Sequence, residues 1–186
     1  MLKKISYGFW LTLIALLMLA STALANSTTK ISTLLDTRDK LIVKNHYNIG
    51  TVASDADNVV TIDAIVYYEF GMEAQKLKGL WVSINNKDED NESIILVDLD
   101  EVGALSKGLD NMASLARKMK ETKTEYFEAQ VLTKEDLKIG FYQVGNEQRL
   151  YIKKSGYSEV GIYLSIEDLA YVKSLIDKST IILAAK

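Results

Sequence analysis

The sequence predicts an α+β fold built from two ββββα units, and three observations carry that expectation. Strand-like stretches come in two runs of four. Each run ends in an amphipathic helix. The two strand-to-helix junctions, "DLDEVGALSKGLDNM" at 98–112 and "SIEDLAYVKSLIDKS" at 165–179, share one pattern of residue types. Asp98 and Ser165 are both good helix N-caps, and each has a carboxylate three positions later, Glu101 and Asp168. An acid there complements the open amides and the dipole of a first helical turn. Just upstream, Ile95, Val97 and Leu99 match Ile162, Leu164 and Ile166 as the alternating core face of a strand.

Residues 1–25, "MLKKISYGFWLTLIALLMLASTALA", have the layout of an export signal peptide: Lys3 and Lys4, a short apolar stretch from Phe9 to Ala20, and the small-x-small ending Ala23-Leu24-Ala25. The expectation is cleavage between Ala25 and Asn26, no membrane span in the mature chain, and a periplasmic or extracellular location. With no cysteine, neither lipid attachment of the lipoprotein type nor a disulfide is available. Removal of Lys3 and Lys4 from the 22 basic residues leaves 20 against 25 acidic, a net charge of −5. A mildly acidic chain lacks the electrostatic footprint of a nucleic-acid binder.

The stretch 26–39, "NSTTKISTLLDTRD", reads as a flexible lead or one short helix. The first unit, 40–122, opens with one or two strands in 41–54. It continues through the β-branched and aromatic stretch 59–71, then 76–84 and 93–99. A long helix follows over 100–120, with Val102, Leu105, Leu109, Met112, Leu115 and Met119 at three- and four-residue spacing. The second unit, 123–186, repeats the order with strands at 125–132, 137–144, 148–154 and 159–165. A helix then carries Leu169, Val172 and Ile176 on its stripe. Whether 179–186 extends that helix or adds a strand stays open. About 160 residues suffice for one compact body that buries roughly two thirds of its unfolded surface.

Hairpin arithmetic assigns the strand faces. A two-residue loop at Gly145-Asn146 sets Phe141 opposite Leu150 and Ile139 opposite Ile152, the core face that each unit's own helix is expected to cover. The other face then carries Tyr142 beside Arg149, Gly140 beside Tyr151 and Lys138 beside Lys153, with Tyr163 on the next strand. The corresponding outer positions of the first unit are Tyr67, Trp81 and Leu96. A solvated sheet face is normally studded with small polar and charged residues. Large side chains there point to the two outer faces packing on each other, to a second subunit, or to a surface for a ligand or partner protein.

In element order, residues 45–180 resemble the duplicated ββββα proteins of the PUR-alpha and Whirly class, which bind single-stranded nucleic acid. That resemblance implies bases stacked on sheet aromatics beside basic side chains, with Tyr142, Tyr151, Arg149 and Lys153 as the matching cluster. The export signal and the negative charge make nucleic acid a poor partner.

Catalytic chemistry finds little support. His46 is the only histidine, and no nucleophile elbow accompanies it. One histidine and no cysteine leave no closed zinc site. The acidic turns "SDADN" and "NNKDEDNE" offer alternating carboxylates, Asp55 and Asp57, then Asp88, Asp90 and Glu92, but neither completes an EF-hand loop. The expectation is a non-enzymatic binding or structural protein of the bacterial envelope, without cofactor, that self-associates as a homodimer or engages an unidentified protein. The alternatives are a carboxylate-based hydrolase or carbohydrate-binding protein and a single-strand binder.

Overall fold

The structure, a computed structural model, describes residues 28–54, 58–86, 91–156 and 161–186. The expected leader lies outside the described residues, as do Asp55, Asp57, Asp88 and Asp90 of the acidic turns. A short helix α1 (Lys30–Leu35) precedes β1 (Ile42–Ala53), β2 (Val59–Glu69), β3 (Leu77–Asn86), β4 (Asn91–Asp98) and α2 (Leu99–Met119). The second half runs β5 (Thr124–Leu132), β6 (Leu137–Gly145), β7 (Glu147–Lys154) and β8 (Gly161–Ser165), then a 3₁₀ turn at Ile166–Asp168 and α3 (Leu169–Ala184). Each set of four strands forms its own antiparallel sheet in sequential order. The chain is therefore an α+β fold of two ββββα units.

The same capping device starts both long helical segments. The Asp98 amide donates to Glu101 Oε2 (3.2 Å), and the Ser165 amide donates to Asp168 Oδ2 (3.1 Å). Strand alternation stops at Asp98, because Leu99 is already the first residue of α2 and is 39% exposed rather than core. The stretch 41–54 is one strand with a bulge between Asn48 and Gly50. The last residues continue α3, whose Leu183 is fully buried. In the β6–β7 hairpin Phe141 pairs with Leu150 and Ile139 with Ile152, all buried, which leaves Tyr142, Arg149, Tyr151 and Lys153 on the outer side.

The inner faces of both sheets and both long helices share one continuous apolar core. Each helix was expected to cover its own sheet, and here the structure differs. α3 packs beside α2 and across β1, β2 and β3 of the first sheet, while α2 touches strands of both sheets. Lys178 Nζ donates to the Ile49 carbonyl (2.9 Å) and Lys78 Nζ to the Leu183 carbonyl (2.9 Å), tying α3 to the first sheet at both positions. The physical reason is that helical periodicity marks which side of a helix is apolar, not which of two equally apolar sheets will meet it. The two outer faces do not pack on each other either: the inner faces meet around the helices, and α1 lies on the outer face of the first sheet. Among the described residues no helix is long and apolar enough to cross a membrane.

Candidate binding surface

The two outer faces can be compared position by position through the strand register. On the first sheet Ile65 pairs with Gly79 and Gly79 with Asp98; one row along, Asp63 pairs with Trp81 and Trp81 with Leu96. On the second sheet Tyr142 pairs with Arg149 and Arg149 with Ser165; one row along, Gly140 pairs with Tyr151 and Tyr151 with Tyr163. Ile65, Gly79, Trp81 and Leu96 thus stand where Tyr142, Arg149, Tyr151 and Tyr163 stand in the other unit.

The first face is occupied from within the chain. Ile31 of α1 is fully buried among Ile65, Tyr67 and Leu96, with Leu34, Leu77 and Trp81 packed around them. Gly79 makes room for it: a Cβ there would stand 2.7 Å from Ile31 Cδ1 and 2.2 Å from the Val97 carbonyl oxygen. Six residues are too few to hold a helix in water, so α1 depends on its anchors. Asp98 accepts from the Lys30 amide (2.7 Å) and the Ile31 amide (3.3 Å), so one carboxylate serves the starts of both α1 and α2. Glu135, in the β5–β6 turn, accepts from the Thr29 amide (3.2 Å), the Thr29 hydroxyl (2.5 Å), the Ser32 hydroxyl and the Leu96 amide (3.2 Å). Burial alone would push the Glu135 carboxyl up; the Ser32 and Thr29 side chains and the two amides outweigh it and hold the carboxyl below its usual range.

The β1 side of this face is filled as well. Lys44 Nζ sits 3.8 Å from the Trp81 ring centroid and His46 meets Trp81 edge-on at 5.3 Å. His46 Nδ1 lies 3.4 Å from Asp63, which also accepts from Asn48 Nδ2 at 2.9 Å. Burial draws the Lys44 amine down, with Asp63 opposing. Tyr67 is 1% exposed; its hydroxyl is buried without a hydrogen-bond partner among the described residues, and burial pushes it up to about 12. Three of the sequence-derived surface residues, Tyr67, Trp81 and Leu96, therefore lie under α1 or against β1 side chains.

The second face is open. Tyr163 is 58% exposed and Tyr126, which the sequence reasoning missed, is 59% exposed; Tyr142 between them is half-buried. Ring centroids step 6.4 Å from Tyr126 to Tyr142 and 6.3 Å from Tyr142 to Tyr163. Tyr151 lies beneath this layer, 2% exposed, its ring laid over Gly140, where a Cβ would stand 2.3 Å from the Tyr151 hydroxyl. That hydroxyl donates to Glu128 (2.5 Å) and approaches Gln130 (3.2 Å), and the Tyr126 hydroxyl donates to the other oxygen of Glu128 (2.7 Å). These bonds, Tyr151's first and then Tyr126's, hold the Glu128 carboxyl below its usual range against burial, with Lys153 and Lys138 helping. Lys153 Nζ is 4.9 Å from the Tyr151 ring and Lys138 pairs directly across from Lys153. Arg149 is exposed beside Tyr142. Tyr126 was legible in principle, since "YFEAQVL" alternates, but the bulge between Thr124 and Phe127 breaks the count from the strand end.

Among the described residues one group of carboxylates converges closely enough to hold a cation: Asp98, Asp100 and Glu101, within 4.8 Å of one another. Lys134 Nζ already stands there, 3.7, 3.2 and 3.8 Å from the three. Glu101 also accepts from the Lys134 amide (2.8 Å), and Asp100 from Lys30 Nζ (2.8 Å). The cluster is a structural knot that holds α1, α2 and the β5–β6 turn together. No protein-family model, curated protein or solved structure matches the chain.

Proposed function

We propose that this chain is an exported, non-enzymatic binding protein whose ligand or partner seats on the open outer face of the second sheet. The observation that carries the reading is the contrast at equal register: apolar residues under a lid on one sheet, tyrosines and Arg149 without a described covering element on the other. Export rests on the leader-type sequence at 1–25. A carboxylate hydrolase needs acids free to meet a substrate, whereas the convergent acids here spend their oxygens on amides and lysines. His46 is similarly engaged beside Asp63 and Trp81.

The size of the face favours a ligand over a second copy. Four strands about 4.8 Å apart and roughly five residues deep make a patch of about 300 Å². A stable protein pair buries roughly 800 Å² on each side. Tyrosine-selective nitration tests the reading without knowledge of the ligand. On the isolated protein Tyr126 and Tyr163 should react and Tyr67 should not. In the intact envelope of the producing cell, Tyr126 and Tyr163 should become protected. Equal reactivity in both settings would refute a binding role for this face.

A further inference from the structure

Each sheet ends in two edge strands, β1 and β4 in the first and β5 and β8 in the second. An open edge is a template for pairing with another chain, and folded proteins blunt their edges. Three of these are blunted. On β4, Glu135 accepts from the Leu96 amide (3.2 Å) and Lys154 Nζ donates to the Ile94 carbonyl (3.2 Å). β8 has 5 residues, and β5 is bulged between Thr124 and Phe127. The remaining edge, β1, runs for 12 residues. The Phe70 amide donates to the Leu41 carbonyl (2.8 Å), which fixes the phase of the β1–β2 ladder. Val43, Asn45 and Tyr47 therefore spend their amides and carbonyls on β2, and those of Ile42, Lys44, His46 and Asn48 point the other way. Among the described residues nothing meets this outward row of backbone groups. Lys44, the charge that would guard the edge, is turned onto the sheet face, its Nζ 3.8 Å from the Trp81 ring centroid. The row ends at Ile49, whose carbonyl accepts from Lys178 Nζ (2.9 Å) beside the bulge between Asn48 and Gly50.

We propose that β1 is a dimerisation edge, which pairs antiparallel with β1 of a second copy about a two-fold axis at Asn45. The row itself selects this partner. In that register Ile42 lies opposite Asn48 and Lys44 opposite His46, so every outward amide and carbonyl is matched. An axis at Lys44 would set two lysines face to face and push Asn48 past the start of its partner strand. An axis at His46 would run Ile42 into the bulge. On the opposite side of the strand from Lys44, Val43 of one protomer meets Tyr47 of the other, and the two Asn45 side chains meet on the axis. The same backbone groups suit any extended peptide; the fit of the whole row about Asn45 is what favours a second copy. Such a contact is isologous and closes at two, because the other edges are blunted. A ladder about 24 Å long against a sheet-and-helix wall about 20 Å thick covers about 500 Å² per protomer. A standard interface covers roughly 800 Å², so the dimer should dissociate on dilution. The edge lies on the other sheet from the open tyrosine face, and either surface can work without the other.

The test is sedimentation velocity of the full chain, expressed with its leader and recovered after export, from about 5 µM to about 1 mM, a range that brackets weak association. Amide hydrogen exchange, read residue by residue at both ends of that range, accompanies it. The mass should rise from monomer to dimer and stop there. At the low end protection should alternate along β1, with Val43, Asn45 and Tyr47 slow and the outward set fast. At the high end the outward amides should slow by about tenfold or more. His46→Pro removes one outward amide and leaves the β2 ladder intact. Asn45→Lys sets two cations face to face on the axis. Each should weaken dimerisation by about tenfold or more, and slow exchange at Val43 and Tyr47 shows that β1 still pairs with β2 in the variant. A chain that stays monomeric at about 1 mM overturns the proposal; protection of the outward amides by an added foreign peptide would then make the edge a peptide site. A dimer whose outward amides stay fast, or that both variants leave intact, places the contact elsewhere and equally refutes it. Growth beyond two copies would refute the closed pairing.

Discussion

The two outer faces of this molecule begin from the same plan and end as opposites. At matched positions the first sheet carries Ile65, Gly79, Trp81 and Leu96, and the second carries Tyr142, Arg149, Tyr151 and Tyr163. The first set has little to offer water, so it is covered; the glycine in its midst is what lets a lid come close. The second set gives nearly every large side chain a polar tip, and an arginine fills the place where the glycine stood. A sheet face becomes buried or available through a handful of side chains, while strand order and capping stay the same. Four perturbations break or sharpen the contrast.

The largest effect belongs to Ile31→Ala. Ile31 is the fully buried residue of α1. Truncating a buried isoleucine to alanine costs about 2–5 kcal/mol. Here the loss is capped at the free energy of docking, because a six-residue helix can leave instead of enduring the cavity. The expected result is a red shift of Trp81 emission at low denaturant that precedes global unfolding. A single transition in which Trp81 moves only with the whole fold would show that α1 is integral to the body and not a separate lid.

Glu135 comes next, through pH. Its folded carboxyl titrates below its unfolded value, so its contribution is fully present above the unfolded value, near pH 4.5. The contribution is lost as pH falls through the lower folded value. Docking of α1 should therefore hold at neutral pH and weaken progressively as pH falls below about 4.5. Glu135→Gln keeps one acceptor oxygen but turns an NH₂ group toward donors, with an expected cost of about 1.5–3 kcal/mol. Hydrogen exchange at the Thr29 and Leu96 amides reads both effects. Unchanged protection in Glu135→Gln at neutral pH would remove Glu135 as an anchor. The tyrosine face, which lacks such a latch, should keep its exposure across the same range.

Gly79→Ala probes the opening that admits the lid. The added methyl meets the Val97 carbonyl, which belongs to the sheet and cannot step aside, as well as Ile31. Overpacking of this kind costs about 1–3 kcal/mol, and thermal unfolding should show it. A midpoint equal to that of the parent chain would mean that β3 and β4 have slack at this point.

How much of this could be read from residue order depends on how far apart the partners lie. The β6–β7 faces follow from a local loop at Gly145, and the paired caps at Asp98 and Ser165 from four-residue patterns. The lid does not follow, because Thr29 meets Glu135 across 106 positions and "TKED" reads only as a turn. Nor does the crossing of α3 onto the first sheet: Leu175 and Leu183 look like core residues whichever sheet receives them. Local chemistry sets faces and ends. Which faces meet is decided by the whole chain at once.

The smallest effect, and the one opposite in sign, is Tyr67→Phe. Tyr67 is the aromatic residue of the covered face that carries a hydroxyl in full burial, and that hydroxyl has no hydrogen-bond partner among the described residues. Its raised titration, to about 12, has burial as its cause. Leaving a polar group buried and unpaired costs roughly 1–3 kcal/mol, but part of that returns when phenylalanine leaves a small void in place of the oxygen. The expected balance is a stabilisation of up to about 1 kcal/mol, seen as a higher denaturant midpoint at unchanged slope. The matched change on the open face, Tyr163→Phe, removes a hydroxyl that water can reach and should leave the midpoint within about 0.5 kcal/mol of the parent. Should Tyr67→Phe destabilise by more than 1 kcal/mol, the hydroxyl must have a bonded partner under α1. The covered face would then be a polar site with a lid, much closer to its open counterpart than the side chains suggest.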